Sequence, residues 1–401
     1  MNSSGKSFTA EVAVVGGGPA GLVTALALQA AGVETLLIAP LPGDENRTTA
    51  LLAGSVTALV TLGAWPACAA HAAPLAAIRI VDDTRRLIRA PEVTFSAAEI
   101  GLAAFGYNIE NRHLLAGLQT RAAELKLARI AEMASAVASD AAGVTVKFPS
   151  GEVRVRLAVG ADGQHSLCRA AAAIGTDRHA YPQTALTLNL AHARPHAATS
   201  TEFHTERGPL TLVPLPGNRS SLVCVLDPDG AARLSAESDA ALAAEIERRT
   251  HSLLGRMRID GGRGLFPLAI ETAHAFAGKR VALVGEAAHV VPPIGAQGLN
   301  LGLRDAAMLA ELVAAARRQH ADIGAPRLLA RYDGARRADI ATRSIAVDLL
   351  NRGLLTDFVP AHGARGLFLY LVDRIGPLRR ALMREGVAPA LQPRLMRGEM
   401  V

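Results

Sequence analysis

The turn Gly16-Gly17-Gly18-Pro19-Ala20-Gly21 constrains this chain more than any other feature. It follows Val12-Ala13-Val14-Val15, an apolar run that suits a buried parallel strand. It opens an Ala/Leu segment, Leu22 to Ala31, that stops at Gly32 as helices commonly do. Thr35-Leu36-Leu37-Ile38 reads as the next strand. The unit is strand, glycine turn, helix, strand. In a G-x-G-x-x-G turn the first glycine permits the tight bend, the second lets backbone approach a pyrophosphate, and the third lets the helix sit close to the strand. The anion then meets the free N–H groups and the dipole of the helix N-terminus. Gly16, Gly18 and Gly21, with Pro19 and Ala20 between them, are therefore candidate dinucleotide ligands; the plainer alternative is a tight glycine turn. One element departs from the fingerprint. The second strand ends Ile38-Ala39-Pro40, where an acidic residue would bond the ribose hydroxyls. Asp44, Glu45 or backbone are the alternatives for that role.

The 401 residues suggest about two to three domains. Half are apolar and 19% are charged, which supports a large packed core and excludes a disordered or collagen-like chain. No window approaches the ~18 uninterrupted apolar residues of a membrane span. Met1 to Ala10 is short and polar and does not read as a signal peptide. The three cysteines, Cys68, Cys168 and Cys224, are odd in number and far apart, against both a disulfide framework and a cysteine zinc site. A reducing cytoplasm fits. The net charge of +6 is mostly arginine: all but four of the 42 basic residues are Arg, in an alanine-rich chain. No basic run interleaves with aromatics, so nucleic acid is not an expected partner.

Two further turns sit past apolar runs. Leu157-Ala158-Val159 leads into Gly160-Ala161-Asp162-Gly163, with Ser166 and Arg169 beyond. Val281-Ala282-Leu283-Val284 leads into Gly285-Glu286-Ala287-Ala288-His289, then a loop from Pro292-Pro293 through Gly295 to Gln297-Gly298-Leu299-Asn300-Leu301-Gly302 and a long helix from about 298 to 318. Alone, Asp162 reads equally as a turn residue or a ligand, and Glu286 equally as the neighbour of a helix cap or a ligand. In this order behind the glycine fingerprint they become ligand candidates.

The expected fold is α/β: a Rossmann-like nucleotide-binding domain from 1–75, 101–180 and 278–345, interleaved with a smaller β-sheet domain from 76–100 and 181–277. Residues 346–401 are expected to form a helical C-terminal region. The alternation Leu186-x-Leu188-x-Leu190 and Leu210-x-Leu212 fits either a greasy pocket or an ordinary sheet face packed on a core.

The three motifs together resemble the FAD-dependent aromatic hydroxylases of the para-hydroxybenzoate hydroxylase fold. The third motif, with Arg304-Asp305 after it, narrows the resemblance to the ubiquinone-biosynthesis hydroxylases. Arg47-Thr48-Thr49-Ala50-Leu51, Gly106-Tyr107-x-Ile109-Glu110-Asn111-Arg112, and the stretch from Glu202-Phe203 through Gly208-Pro209 to Pro214-Leu215 are similar to that family too. The likeness spans roughly residues 10 to 350. It departs at Glu286, where the family usually has Asp, and at Pro292-Pro293, where it often has His-Pro.

The resemblance implies non-covalent FAD, an external reductant (NAD(P)H or a reductase partner) and O2 as co-substrate. The flavin carries the difficult chemistry and one oxygen atom goes to an electron-rich ring. It implies that Pro293, Gly295, Gln297 and Gly298 form the loop at the flavin ring. Arg47, Arg112, Asp162, Glu286, Leu299 and Asn300 join the glycine turn as cofactor contacts. The expected activity is hydroxylation of a phenolic ring, most concretely of a polyprenylated ubiquinone precursor. The rivals are a hydroxylase of a small soluble aromatic, a flavin reductase of prenyl double bonds, and a non-catalytic partner in a quinone-synthesis complex. No Ser-His-Asp order or metal-ligand cluster competes, and no metal is expected. His289 reads as a packing or hydrogen-bonding residue. His192 and His196 lie in a strand-rich region, where a spacing of four does not place them on one helical face.

A polyprenyl substrate partitions into the bilayer, so peripheral contact with the inner face of the membrane is a further expectation. Leu367, Phe368, Leu371, Ile375, Leu378 and Leu382 recur at helical spacing, with Arg374, Arg379, Arg380 and Arg384 interspersed. The plainer alternative packs this stripe on the domain.

Overall fold

The computed structural model describes residues 10–43, 47–84, 91–293, 295–355, 374–387, 389 and 391–401, and of 342–355 the backbone alone. Asp44, Glu45, Leu367, Phe368 and Leu371 lie outside the described residues.

A six-stranded sheet runs in the order Ala277–Gly278, Val281–Leu283, Leu157–Gly160, Val12–Val15, Thr35–Ile38, Ala128–Ile130. All its pairings are parallel except the short edge pair at 277–283. The four residues of Val12–Val15 are almost completely buried, as a strand covered on both faces requires. The helix Pro19–Ala30 follows the glycine turn, with proline at its start where the lost N–H costs nothing. The helix Gln297–Arg318 packs beside it. Gly302 permits that approach: an added Cβ there would sit 3.2 Å from the Gly285 Cα and 3.3 Å from the Ala20 Cβ.

A nine-stranded sheet is built around Thr176–His192, Arg219–Leu226, Gly208–Leu215 and Thr199–Thr205, with Ala77–Asp82 pairing parallel to Thr199–Thr205. Its two faces differ. Leu186, Leu188, Leu190, Leu210, Leu212 and Leu222 are buried in one core with residues of the helices Pro228–Ala236 and Asp239–Arg249. The alternating leucines are thus the packed face, and the pocket alternative for them is set aside. Residues of opposite parity form the other face. A small sheet, Thr48–Leu52, Gly106–Glu110 and Ala72–Pro74, stands between the two large ones.

The alternation over 128–158 suggests an antiparallel meander; residues 136–155 form one, while Ala128–Ile130 and Leu157–Gly160 pair parallel in the six-stranded sheet. The helix Ala53–Thr61 starts only after Leu52, because Thr48–Leu52 is drawn into a strand by pairing with Gly106–Glu110.

Candidate functional site

Register collects the three motifs. Val15 lies beside Gly160, and Gly160 beside Leu283, so the carboxyl ends of three parallel strands share one row. In open α/β sheets this edge is where ligands bind. A cavity of about 570 Å³ opens here and extends to the second face of the antiparallel sheet. Gly18, Pro19, Ala20, Gly21, Gly285 and Glu286 line one part of it; Ser200, Glu202, Thr211, Val213, Ser221 and Val223 line another.

The glycines of the turn divide by cause. A Cβ on Gly16 would lie 2.1 Å from the Ala161 carbonyl oxygen, and one on Gly21 would lie 2.0 Å from the Gly16 oxygen. Those two positions answer to the fold. Gly18 has an ordinary extended backbone (φ −68°, ψ 173°), and a Cβ there would meet no atom within 4 Å. Neither backbone nor packing requires glycine at 18. Its place on the cavity wall does, once a pyrophosphate lies against it. The helix it opens has no side-chain cap and no acidic residue in its first turn, leaving its N-terminus for an anion.

The other candidates fall in different places. Arg47, Glu286, Pro293, Gly295, Gly298 and Leu299 line the cavity. Asp162 sits behind it: its carboxylate accepts from Ser166 Oγ at 2.5 Å and from the Cys168 N–H at 3.1 Å, fixing the helix Leu167–Ala171. Arg112 is half exposed and pairs with Glu110 at 3.0 Å. Gln297 donates to the Gly295 carbonyl. Asn300 is buried and works as a clamp. Its Oδ1 accepts from the Leu52 N–H at 2.8 Å, and its Nδ2 donates to the carbonyls of Ala50 and Ala296. Ala296 is left-handed at φ 55°, an uncommon state for a residue with a Cβ. The Asn300 clamp holds the loop in that shape, so the helix N-terminus, which has no side-chain cap, faces the cavity.

Behind the loop lies a buried ionic network that the sequence did not disclose. Asp305 accepts from the Gly285 N–H at 2.9 Å, from His289 Nε2 at 2.7 Å and from Arg336 Nε at 2.6 Å. Arg336 also pairs with Asp339, which Arg304 grips in turn. Burial alone would raise the Asp305 carboxyl; Arg336, His289 and the Gly285 N–H outweigh it and hold it below the usual range. The turn that carries Glu286 is thereby tied to the helices Gln297–Arg318 and Pro326–Leu355. The bonding role read for His289 is of this kind.

A second latch joins the small sheet to the antiparallel one. Asn108 Nδ2 donates to the Pro214 carbonyl and to Ser221 Oγ, both at 3.0 Å. Glu110 accepts from Arg219, Arg112 and Asn189. Its burial pushes the carboxyl up, and the arginines more than offset that. The Gly106–Arg112 segment is therefore a post between the two sheets, with Glu110 rather than Arg112 at its centre. His192 bonds the Arg194 carbonyl and Ser220 Oγ, and His196 the Leu215 carbonyl. Among the described residues no group of three or more His, Cys, Asp or Glu is placed to hold a metal.

The sequence assigned no role to Asn108, His204, Ser221 and Arg336, and Glu202 and Asp305 stood there only within family-like stretches. For Ser200, Glu202 and His204 a signal existed: they alternate along one strand and so share a face.

Comparison with known proteins matches this geometry. Residues 9–346 match the family model described as "FAD binding domain". Ubiquinone hydroxylase UbiL of Rhodospirillum rubrum is 37% identical over 406 residues, covering 97% of this chain and 93% of that protein. The 3-demethoxyubiquinol 3-hydroxylase of Escherichia coli is 31% identical, covering 93% and 97%. Among solved structures, p-nitrophenol 4-monooxygenase PnpA from Pseudomonas putida superposes with a TM-score of 0.76 at 22% identity, covering 94% of this chain and 98% of that one. Klebsiella pneumoniae HpxO complexed with FAD gives 0.76 at 19%, covering 95% and 99%; these two likenesses speak to the fold. A glycine turn, two acidic turns and a glycine-rich loop meeting at one sheet edge, with the family match over most of the length, place the chain in the ubiquinone-hydroxylase family of FAD-dependent monooxygenases.

Proposed function

We propose that this enzyme holds FAD along the strand-end row and hydroxylates a polyprenylated phenolic precursor of ubiquinone. The observation that carries the reading is the continuity of the cavity: one space reaches from Gly18 and Glu286 to the Ser200, Glu202 and Ser221 face of the antiparallel sheet. A flavin and a ring can therefore share it. Bound FAD supplies the redox chemistry with O2, its electrons coming from NAD(P)H or a reductase partner. The chain supplies position and field. Gly16, Gly18, Pro19, Ala20 and Gly21 receive the pyrophosphate, and Arg47 and Glu286 reach the cofactor from the walls. Pro293, Gly295, Gly298 and Leu299 shape the edge of the flavin ring, where the helix N-terminus favours negative charge. Gln297 and Asn300 hold that loop, while Asp162 and Arg112 act from behind. The same reading assigns 1–75, 101–180 and 278–345 to the FAD-binding unit, 76–100 and 181–277 to the substrate unit, and 346–401 to a helical C-terminal region. The test is the quinone profile of a deletion strain. Accumulation of a precursor lacking one ring hydroxyl is expected; an unchanged profile contradicts the proposal.

Glu286 gives a sharper check on the cofactor half. Glu286→Ala should weaken FAD binding about tenfold, the order of one charge-assisted hydrogen bond. Glu286→Asp, which restores the usual family residue, should bind at least as well as the native chain. Equilibrium dialysis decides; equal affinity in all three proteins means this carboxylate does not touch FAD.

The substrate's tail points to the bilayer. No helix among the described residues is long and apolar enough to cross a membrane. In the helix Gly376–Val387, Arg379 and Met383 turn inward, Arg379 pairing with Glu99 at 2.7 Å, while Leu378 and Leu382 stay exposed with Ile375 just before. Exposed Arg374, Arg380 and Arg384 flank them. This apolar ridge rimmed by cations suits a peripheral, inner-leaflet contact, each arginine adding about 1 kcal/mol near an anionic surface. The double variant Leu378→Ser, Leu382→Ser should lose most co-sedimentation with anionic liposomes at low salt while keeping its FAD. Unaltered sedimentation would leave delivery to a partner in a quinone-synthesis complex.

A further inference from the structure

Among the described residues, the roof of the cavity carries one ionisable group. Among the described residues that line the cavity, the ionisable side chains are Arg47, Glu202 and Glu286. Glu286 belongs to the strand-end row and Arg47 adjoins the small sheet; Glu202 alone rises from the antiparallel sheet. Strand register sets its surroundings. Glu202 stands opposite Thr211, and Thr211 opposite Val223; in the neighbouring row Ser200 lies beside Ile78, and Val213 beside Ser221. Leu75, Ile78, Phe105, Val213 and Val223 give this part of the cavity an apolar wall, suited to an aromatic ring. A lone carboxylate on such a wall needs a donor.

His204, two residues on and on the same face, fixes the carboxylate. Its Nε2 lies 2.6 Å from Glu202 Oε1. The imidazole is nearly fully buried, and the carboxylate side chain is 20% exposed, toward the cavity. An ionised carboxylate has about four acceptor sites, so one bond to His204 leaves room for another donor.

We propose that Glu202 is the acid–base residue of the reaction, taking the hydroxyl proton of a bound phenol, with His204 as its positioning residue. The proposal rests on the phenol-hydroxylase reading above. The proton balance is simple. As a ring carbon forms its new bond to oxygen, the phenol O–H bond breaks toward Glu202, and its electron pair becomes the second bond of a C=O group. The oxidant is O2, with two electrons delivered through bound FAD: the O–O bond breaks, one oxygen atom becomes the new ring hydroxyl and the other leaves as water. Loss of the proton on the attacked carbon, with return of the Glu202 proton to the carbonyl oxygen, restores the aromatic ring. A neutral phenol is a poor electron donor and a phenolate a good one, so an acceptor at the hydroxyl promotes the attack. The same residue makes the site selective for a free hydroxyl over an aryl ether, because an ether brings no donor to the carboxylate beyond His204.

The test compares 2-octylphenol with 2-octylanisole, by equilibrium dialysis against the FAD-loaded, oxidised protein. The native chain should prefer the phenol by at least about tenfold, as expected for a charge-assisted hydrogen bond. Glu202→Leu, with FAD retained, should bring the ratio close to one. His204→Leu should lower the ratio in part and shift the pH profile of single-turnover hydroxylation, while His204→Gln, which keeps a donor to the carboxylate, should preserve both. An unchanged ratio in Glu202→Leu, or equal binding of the two probes by the native chain, overturns the assignment. Should Glu202→Leu fail to hold FAD, the isosteric Glu202→Gln decides: a ratio reduced by about threefold or more supports the proposal, and an unchanged one rejects it. A native chain that hydroxylates 2-octylphenol while the Glu202 variants bind and turn over as it does rejects this inference alone. A native chain that binds neither probe rejects the functional reading, and this inference with it.

Discussion

Asp305→Ala is expected to cost the folded protein about 3–5 kcal/mol at neutral pH, the usual penalty for removing one partner of a buried ion pair. Three donors converge on this carboxylate, and the variant leaves all of them behind. Arg336 stays buried, with Asp339 as its remaining described carboxylate; His289 loses its 2.7 Å partner, and the Gly285 N–H loses its acceptor. The pairing with Asp339 favours the lower end of that range. The pH dependence has a definite sign. The folded pKa of Asp305 is depressed below its unfolded value of about 4. Its contribution is therefore complete above about pH 4 and is lost as pH falls through the depressed folded value. Urea titrations of the native chain and of Asp305→Ala should differ most at neutral pH and converge in acid. FAD affinity should fall as well, because Gly285 anchors the turn of Glu286. A destabilisation below about 1 kcal/mol would show that the network is solvated in solution.

Gly18→Val should separate cofactor binding from folding. The backbone at 18 is extended and a Cβ there meets nothing within 4 Å, so the apoprotein should melt within a few degrees of the native apoprotein. A branched side chain on the cavity wall then fills the space of the pyrophosphate, whose bonds to N–H groups contribute about 1.5–3 kcal/mol each. FAD affinity should fall at least about a hundredfold. Gly21→Val should behave differently: its Cβ would stand 2.0 Å from the Gly16 oxygen, so the fold itself should fail. Undiminished FAD in a folded Gly18→Val protein would remove the pyrophosphate from this turn.

The contrast between those glycines shows what the sequence can and cannot disclose. The strand, turn and helix around Gly16 to Gly21 were legible because apolar periodicity and glycine chemistry are local. The row formed by Val15, Gly160 and Leu283 was legible only as three similar strand ends; their adjacency comes from the order of the parallel strands. The leucines at 186–190 and 210–212 showed a strand face, yet alternation does not say which face meets the cavity. The helices 228–236 and 239–249 decide that, by covering the leucines. Glu202 and His204 were visible as polar residues at alternate positions, but their meaning came from the cavity. Asp305 and Arg336 are 31 residues apart on different helices, and no local pattern links them. Arg112 stands out as a cation at the start of a helix; the structure turns it to Glu110, whose burial cannot be read from its neighbours.

The central claim is that the cavity joins FAD to an aromatic ring for oxygen transfer. It is tested most directly with oxygen-18 gas. The FAD-loaded protein, chemically reduced without air, is mixed with a polyprenylated phenol and then with the labelled gas, and the products are weighed by mass spectrometry. The account predicts a ring-hydroxylated product carrying one labelled oxygen, formed in the native chain and lost with FAD in Gly18→Val. Reoxidation of the flavin with the phenol recovered unchanged, or a hydroxyl without label, would contradict it.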